Sequence, residues 1–202
     1  MKIGILALQG AFSEHARVLA GLGAQTVEVR RPKALQGIDG LIIPGGESTV
    51  MVKLIDAYGL REPICHLARA GQPIMGTCAG AILLAKNVTG DSLETLKLMD
   101  ITVRRNAFGR QVDSFETLLD IPALDSKPCP AVFIRAPLIE SAGADCKVLA
   151  TLPDGRLVAV RQDNLLALAF HPELTSDARV HEYFLEMARV SQDTQKLKAE
   201  AS

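Results

Sequence analysis

Between Met75 and Ala81 the chain has no room for a loop. Pro73, Ile74 and Met75 make a short apolar strand, Gly76, Thr77, Cys78, Ala79 and Gly80 follow, and Ala81 to Ala85 is an apolar helix-forming run. A strand that enters a helix this abruptly forces its corner residue into a strained backbone with the side chain thrust outward, while small residues two places before and after let neighbouring chains pass. The corner residue is Cys78. It sits at a helix N-terminus, where unpaired backbone N–H groups favour a negatively charged sulfur, and the N–H of Ala79 points toward any carbonyl that Cys78 attacks. From these residues alone a second reading stands equally well. Gly-x-Cys-x-Gly is short enough to recur by chance, and most free cysteines are small buried hydrophobes.

The segments before this corner repeat its logic. Lys2 to Leu8 is a near-continuous apolar run, the look of a strand covered on both faces, and Gln9 and Gly10 turn it. Ser13 to Leu22 carries Ala16, Leu19 and Ala20 at helical spacing and is closed by Gly21 and Gly23; Gln25 to Val29 alternates as a second strand. Leu41, Ile42 and Ile43 form a third, ending in Pro44, Gly45, Gly46, Glu47, Ser48 and Thr49 before a helix from about Val50 to Ala57. Strands alternating with helices predict a doubly wound, mostly parallel open sheet, an α/β fold in three layers. Ligands of such sheets bind beyond the carboxyl ends of the strands, where the Gly45–Gly46 pair and Cys78 would both lie; the glycines could supply a second oxyanion donor, and an ordinary tight turn is the equally weighted reading.

Beyond Ala85 strand-like runs follow one another: Ile101 to Arg104, Val112 to Leu119, Ala131 to Ile134, Lys147 to Leu152, Leu157 to Arg161 and Leu165 to Phe170. They predict an antiparallel extension of the parallel sheet, with Pro153, Asp154 and Gly155 as a hairpin turn. A last helix is expected from about Asp177 to Val190, with Val180, Phe184, Leu185 and Ala188 on one face, and residues 191–202 as a frayed tail. With 202 residues, 48% of them apolar, the chain can bury one substantial core, so a single domain over 1–190 is expected.

Composition narrows the function. A net charge of −1 without a basic block, and no Trp, argue against a nucleic-acid or membrane-surface partner. The apolar runs are too short for a signal peptide or a membrane span, and Cys65, Cys78, Cys129 and Cys146 have neither C-x-x-C spacing nor disulfide-scaffold density. Reduced thiols in a cytoplasmic protein, without metal or cofactor, are the expectation.

The thiol needs a base, and one strand end offers it. His171, Pro172 and Glu173 follow the run Leu165 to Phe170. Proline disfavours a helical His171 and holds the segment extended, so side chains 171 and 173 should emerge on the same side, with Glu173 fixing one imidazole nitrogen while the other faces Cys78. A polar loop is the competing reading. His15 and His181 on predicted helices and His66 near Pro63 have no ligand-spaced neighbour and are read as solvated or capping; Cys65, Cys129 and Cys146 are read as packing. Arg105, in a charged turn, and Arg135, in the run Phe133 to Pro137, could each grip a carboxylate, though a solvated arginine is the default.

Taken together these segments resemble the glutaminase subunit of the two-component pyridoxal 5′-phosphate synthase, within the triad glutamine amidotransferases. The likeness spans nearly the whole chain: Leu8 to Gly10, Pro44 to Thr49, Gly76 to Gly80, Arg105 to Phe115, Phe133 to Pro137 and Phe170 to Glu173. It departs at Val50, where the family often has Thr, and after about Val190. The resemblance implies Cys78 as nucleophile, His171 as base and then acid, and Glu173 as its orienting partner. It implies that Gly46, Glu47, Ser48, Arg105, Ile134 and Arg135 hold L-glutamine, and that Gly46 and Ala79 form the oxyanion hole. It further implies ammonia delivery to a synthase subunit that condenses it with pentose and triose phosphates, with Gln9 and Gly10 as candidates for docking or switching. Two rivals remain: the glutaminase of another synthase, such as the imidazole glycerol phosphate enzyme, and a non-catalytic redox-sensing or chaperone-like relative, which has no need of Glu173 beside His171.

Overall fold

The structure is a computed structural model that describes residues 1–105 and 114–200. Most of the Arg105 to Phe115 segment therefore lies outside the described residues. In chain order the elements are β1 (Lys2–Leu6), α1 (Phe12–Gly21), β2 (Gln25–Val29), β3 (Gly40–Ile43), α2 (Ser48–Ala57), α3 (Arg61–Arg69), β4 (Ile74–Thr77) and α4 (Ala79–Leu84). There follow β5 (Ala85–Thr89), β6 (Met99–Arg104), β7 (Ser114–Leu119), β8 (Cys129–Ile134), β9 (Leu138–Ala142), β10 (Lys147–Thr151), β11 (Leu157–Gln162), β12 (Leu165–Leu168) and α5 (Arg179–Glu200).

Among the described residues, ten strands form one sheet in the order β2-β1-β3-β4-β12-β11-β9-β6-β5, with β10 paired to β11. β2 through β12 run parallel, as the alternation of strand and helix predicts. From β12 the pairing turns antiparallel through β11, β9 and β6, the expected extension. β7 and β8 stand apart as an antiparallel hairpin.

The apolar runs are continuous because both faces of the central strands are covered. Leu41, Ile43, Ile74, Leu165 and Ala167 pack with Met51, Ile55, Ile64 and Leu83, from α2, α3 and α4. Their alternating neighbours Ile3, Ile5, Ile42, Met75, Leu166 and Leu168 pack on the other face with Leu19, Phe184 and Ala188, from α1 and α5. The molecule is thus three-layered, and the two-residue period of each strand decides which layer a side chain meets.

Three sequence expectations need correction. Ala85, read as the end of a helix, begins strand β5, which pairs parallel with β6; Lys86 and Asn87 give it no alternating apolar pattern from which a strand could be read. β9 is likewise absent from the sequence-based strands. The last helix, expected to stop near Val190, runs on to Glu200, and Ser191 Oγ donates to the Gly71 carbonyl at 2.9 Å. The helix-forming Gln195, Lys196 and Leu197 continue it, and no glycine or proline intervenes.

Candidate active site

Register brings the site together. β4 and β12 are parallel neighbours with Thr77 opposite Leu168, so the residues that follow, Cys78 and Ala169 to His171, leave the sheet side by side. The Cys78 N–H donates to the Leu168 carbonyl at 2.8 Å, tying the corner to β12. At the corner Cys78 has φ 49° and ψ −106°, the strained backbone that the sequence predicts. Both flanking glycines are sterically required: a Cβ on Gly80 would stand 1.9 Å from the Ile43 carbonyl oxygen, and one on Gly76 2.5 Å from the Gly80 carbonyl. Ala79 is the first residue of α4, so its N–H is among those a helix leaves without an intrahelical partner.

His171 is buried, and its Nδ1 lies 2.7 Å from Glu173 Oε1. The sequence expectation of an extended 171–173 segment is corrected in its cause. Pro172 to Leu174 form one 3₁₀ turn, which curls Glu173 back under the ring, while His171 stays non-helical at φ −109° and ψ 87°. The His171 N–H donates to the Val132 carbonyl of β8 at 2.8 Å, so the hairpin clamps the imidazole from outside the main sheet. Burial alone would lower the basicity of His171. The hydrogen bonds and charges of Cys78 and Glu173 outweigh it and push the ring up to about 10. An imidazole so held is charged at neutral pH between sulfur and carboxylate.

Gly45 closes the site from β3. A Cβ there would come within 2.4 Å of His171 Cε1 and 3.4 Å of the Cys78 Cβ, so bare backbone lets the ring approach. Cys78 Sγ reaches the Ile134 carbonyl at 3.8 Å, and Arg135 next to it has φ 43°. A cavity of about 320 Å³ opens over the thiol, lined by Gly46, Glu47, Ser48, Cys78, Ala79, Arg105, Ile134, Arg135 and His171, together with Gln9 and Gly10. Every sequence-predicted site residue meets there except Glu173, which lies behind His171. A roomier groove of about 730 Å³ between residues 32–36 and α3 holds His66 and no cysteine among its lining residues, so volume does not identify the reactive site.

The cavity rim is charged. Glu47 caps α2, accepting from the N–H groups of Thr49 (3.0 Å) and Val50 (2.8 Å). Burial would raise its carboxyl, but these two N–H bonds and the nearby Arg105 hold it below its usual range. Arg105 Nη2 lies 3.2 Å from Glu47 Oε1 and 3.2 Å from Thr49 Oγ1, and the same guanidinium pairs with Asp91. Gln9 Oε1 accepts the Glu47 N–H at 2.6 Å, so the loop after β1 is fastened to the same rim.

The reading of His15 and His181 as solvated or capping is overturned, because both are fully buried. His15 Nδ1 lies 2.9 Å from His181 Nε2, and His15 Nε2 lies 3.2 Å from Thr77 Oγ1 and 3.4 Å from Glu173 Oε2. A signal existed. His181 falls three, four and seven residues before Phe184, Leu185 and Ala188, on the apolar face of its own helix, and His15 precedes the buried Leu19 by one turn. Cys65, Cys129 and Cys146 are unpaired, and burial raises each thiol, Cys129 to about 11, as packing positions would be.

A cysteine at a strained strand–helix corner, facing a buried His–Glu pair at the edge of a parallel sheet, is the arrangement of a triad-type cysteine amidohydrolase. The comparisons narrow it. The chain belongs to the SNO glutamine amidotransferase family, whose sequence model matches residues 5–190. It is 60% identical over 191 residues to a protein of Dehalococcoides mccartyi (strain ATCC BAA-2266) named pyridoxal 5′-phosphate synthase subunit PdxT, covering 94% of this chain and 98% of that one. A protein of the same name from Moorella thermoacetica is 57% identical, covering 93% and 99%. A crystal structure described as a glutamine amidotransferase superposes with a TM-score of 0.88 at 46% identity over 92% of this chain and 98% of that one. The structure of PurLQS from Thermotoga maritima shares the fold alone, with a TM-score of 0.67 at 15% identity over 92% of this chain and 97% of that one.

Proposed function

We propose that this chain, a single amidotransferase domain over residues 1–190, hydrolyses L-glutamine to L-glutamate and passes the ammonia to the synthase subunit of a pyridoxal 5′-phosphate synthase. The observation that carries the proposal is the convergence of Cys78, His171 and Glu173 beside one charged cavity. Family membership and the names of the full-length relatives support the substrate and the partner.

The chemistry follows from the charges. Glu47 and Arg105, opposite in sign and 3.2 Å apart at the rim, match the ammonium and carboxylate of an α-amino acid, with each exchanging its present partner for the ligand. Ser48, Ile134 and Arg135 complete the grip on the substrate. The Cys78 thiolate attacks the side-chain amide carbon. The N–H groups of Ala79 and Gly46 receive the oxyanion, and loss of one such donor lowers turnover by about 10²- to 10³-fold. His171 gives its proton to the departing nitrogen, which leaves as ammonia. It then takes a proton from the water that opens the thioester, and glutamate and free thiol are released. Glu173 keeps the ring oriented throughout.

Gln9 and Gly10, at the mouth of the cavity, are the proposed contact with the synthase subunit. Four unpaired cysteines suit a reducing cytoplasm. The test is a glutaminase assay of this chain with and without the synthase subunit. Glutamine-dependent ammonia release that rises when the synthase is added is expected. No release in either condition overturns the assignment, as does stimulation by the synthase of another pathway instead.

A further inference from the structure

Behind the triad lies a second row of buried polar groups that the mechanism above does not use. Glu173 is buried; its Oε1 meets His171, whereas its Oε2 makes no hydrogen bond among the described residues. What Oε2 does have is His15 Nε2 at 3.4 Å, a close polar contact rather than a formed hydrogen bond. His15 in turn meets His181 at 2.9 Å, and the outer nitrogen of His181, Nδ1, is buried without a partner among the described residues. His15 comes from α1, His181 from α5 and Thr77 from the end of β4, so the imidazole that faces the carboxylate oxygen is itself held from two other elements, by His181 at Nδ1 and by the Thr77 hydroxyl at Nε2. No group of three or more His, Cys, Asp or Glu among the described residues is placed to hold a metal ion.

The protons of this row can be assigned. An ionised carboxylate oxygen only accepts, and the Thr77 hydroxyl 3.2 Å from the same His15 nitrogen can accept as well, so a hydrogen on Nε2 is the arrangement that suits both neighbours. The other His15 nitrogen is then a lone pair, so His181 Nε2–H donates to it and His181 Nδ1 ends the chain bare. The reverse arrangement would set the lone pair of His15 against the lone pairs of a buried carboxylate, which is repulsive and leaves that oxygen without a donor. Two neutral imidazoles suit this place better than a cation. A lysine or arginine would neutralise Glu173 and weaken its hold on the His171 imidazolium, whereas a neutral N–H orients the carboxylate and leaves its charge intact.

We propose that His15 and His181 are positioning residues for glutamine hydrolysis: the His181–His15 pair pins the second oxygen of Glu173, so that the carboxylate holds His171 in line with Cys78. The long contact to Oε2 closes to a hydrogen bond when glutamine is bound, as catalytic contacts do in the substrate complex. This inference rests on the triad reading, and its test keeps the two separable.

The experiment measures kcat and KM for glutamine, and melting temperature, with the synthase subunit present, for His15→Leu, His15→Gln, His15→Asn, His181→Phe and Glu173→Gln. His15→Leu is expected to lower kcat by about 10- to 10²-fold with KM within about twofold, the scale of a small misplacement at a reacting centre. His15→Gln, whose amide nitrogen reaches the place of Nε2, should recover most of kcat, and His181→Phe should fall between. Native kcat in His15→Leu overturns the proposal. So does equal loss in the Leu and Gln variants at unchanged melting temperature, which marks a purely structural role. If His15→Leu does not fold, the Gln and Asn pair decides: the shorter Asn amide cannot reach Glu173, so equal activity in the two sinks the idea. Glu173→Gln with native kcat removes the triad and the proposal together, whereas loss there alongside a normal His15→Leu removes only the positioning role.

Discussion

At the scale of single residues, the site depends on one sulfur and on the absence of one carbon. Cys78→Ala deletes the proposed nucleophile at a corner whose backbone is held by the Leu168 carbonyl rather than by the thiol. Glutamine hydrolysis with the synthase present should fall by roughly 10⁴- to 10⁶-fold while the melting curve stays near that of the native protein. Retained turnover would mean that the nucleophile lies elsewhere. Gly45→Ala is the subtler test. Its Cβ would stand 2.4 Å from His171 Cε1, so the ring must move, and kcat should drop by about 10²-fold. Labelling of Cys78 by a glutamine analogue should slow in parallel, and an unchanged rate would show that the ring has slack. The placement of Cys78, His171 and Glu173 at one edge of the sheet is legible in the sequence because each follows a recognisable strand. His15 and His181 were misread because their partners are each other and Glu173, at sequence separations of 166 and 158 residues, where no local pattern reaches.

Among the elements, the approach of α4 to β3 carries the architecture of the corner. Alanine favours a helix over glycine by about 1 kcal/mol, so propensity alone would make Gly80→Ala stabilising. The structure reverses the sign. The added carbon would lie 1.9 Å from a backbone oxygen of β3, which cannot rotate away as a side-chain tip would. The variant should lose about 3 kcal/mol or more, read as a lower urea midpoint, and activity should fall with it because α4 carries Ala79. An unchanged midpoint would show that β3 and α4 can separate freely. Elements with local signatures emerged from sequence reading: β1, α1, β3 and the Pro153–Gly155 hairpin turn, where the Gly155 N–H donates to the Leu152 carbonyl at 2.9 Å. β5 and β9 did not, since they are strands by virtue of pairing with β6, β9 with β11 as well, and the short polar sequence Lys86–Asn87 carries no strand pattern. The turn at Pro172 was misjudged for a related reason. Proline restricts the residue before it, and His171 complies, but the backbone of residues 172–174 is set by Glu173 curling beneath the ring.

For the whole molecule, the buried histidines set how stability depends on pH. His181 is driven by burial down to about 4, and His15 is lowered well below its ordinary value, by burial first and then by the neighbouring His181 and His171. Between pH 6.5 and 4 the unfolded chain therefore binds protons that the folded protein refuses, and stability is lost as the pH falls; His181 alone accounts for roughly 3 kcal/mol of this. His171 has the opposite sign. Its proton is retained in the folded protein up to about 10, so its contribution is complete below pH 6.5 and disappears as the pH rises toward 10. Urea denaturation across this range should give a maximum near pH 6.5, and a flat acid limb would show that the two rings take up protons without unfolding.

By itself the sequence determined the alternation of strands and helices, the corner at Cys78 and the strand ends at which the site's residues stand. Strand periodicity, turn residues and short strand-to-helix junctions are local physics, written over a few consecutive positions. Only the tertiary structure decided that β12 lies beside β4, that Arg105 spans Glu47 and Asp91, and that two buried imidazoles stand behind Glu173. Those facts depend on sheet order and on helix packing across the core, where segments far apart in the chain exclude water together, and no short stretch of residues encodes that meeting.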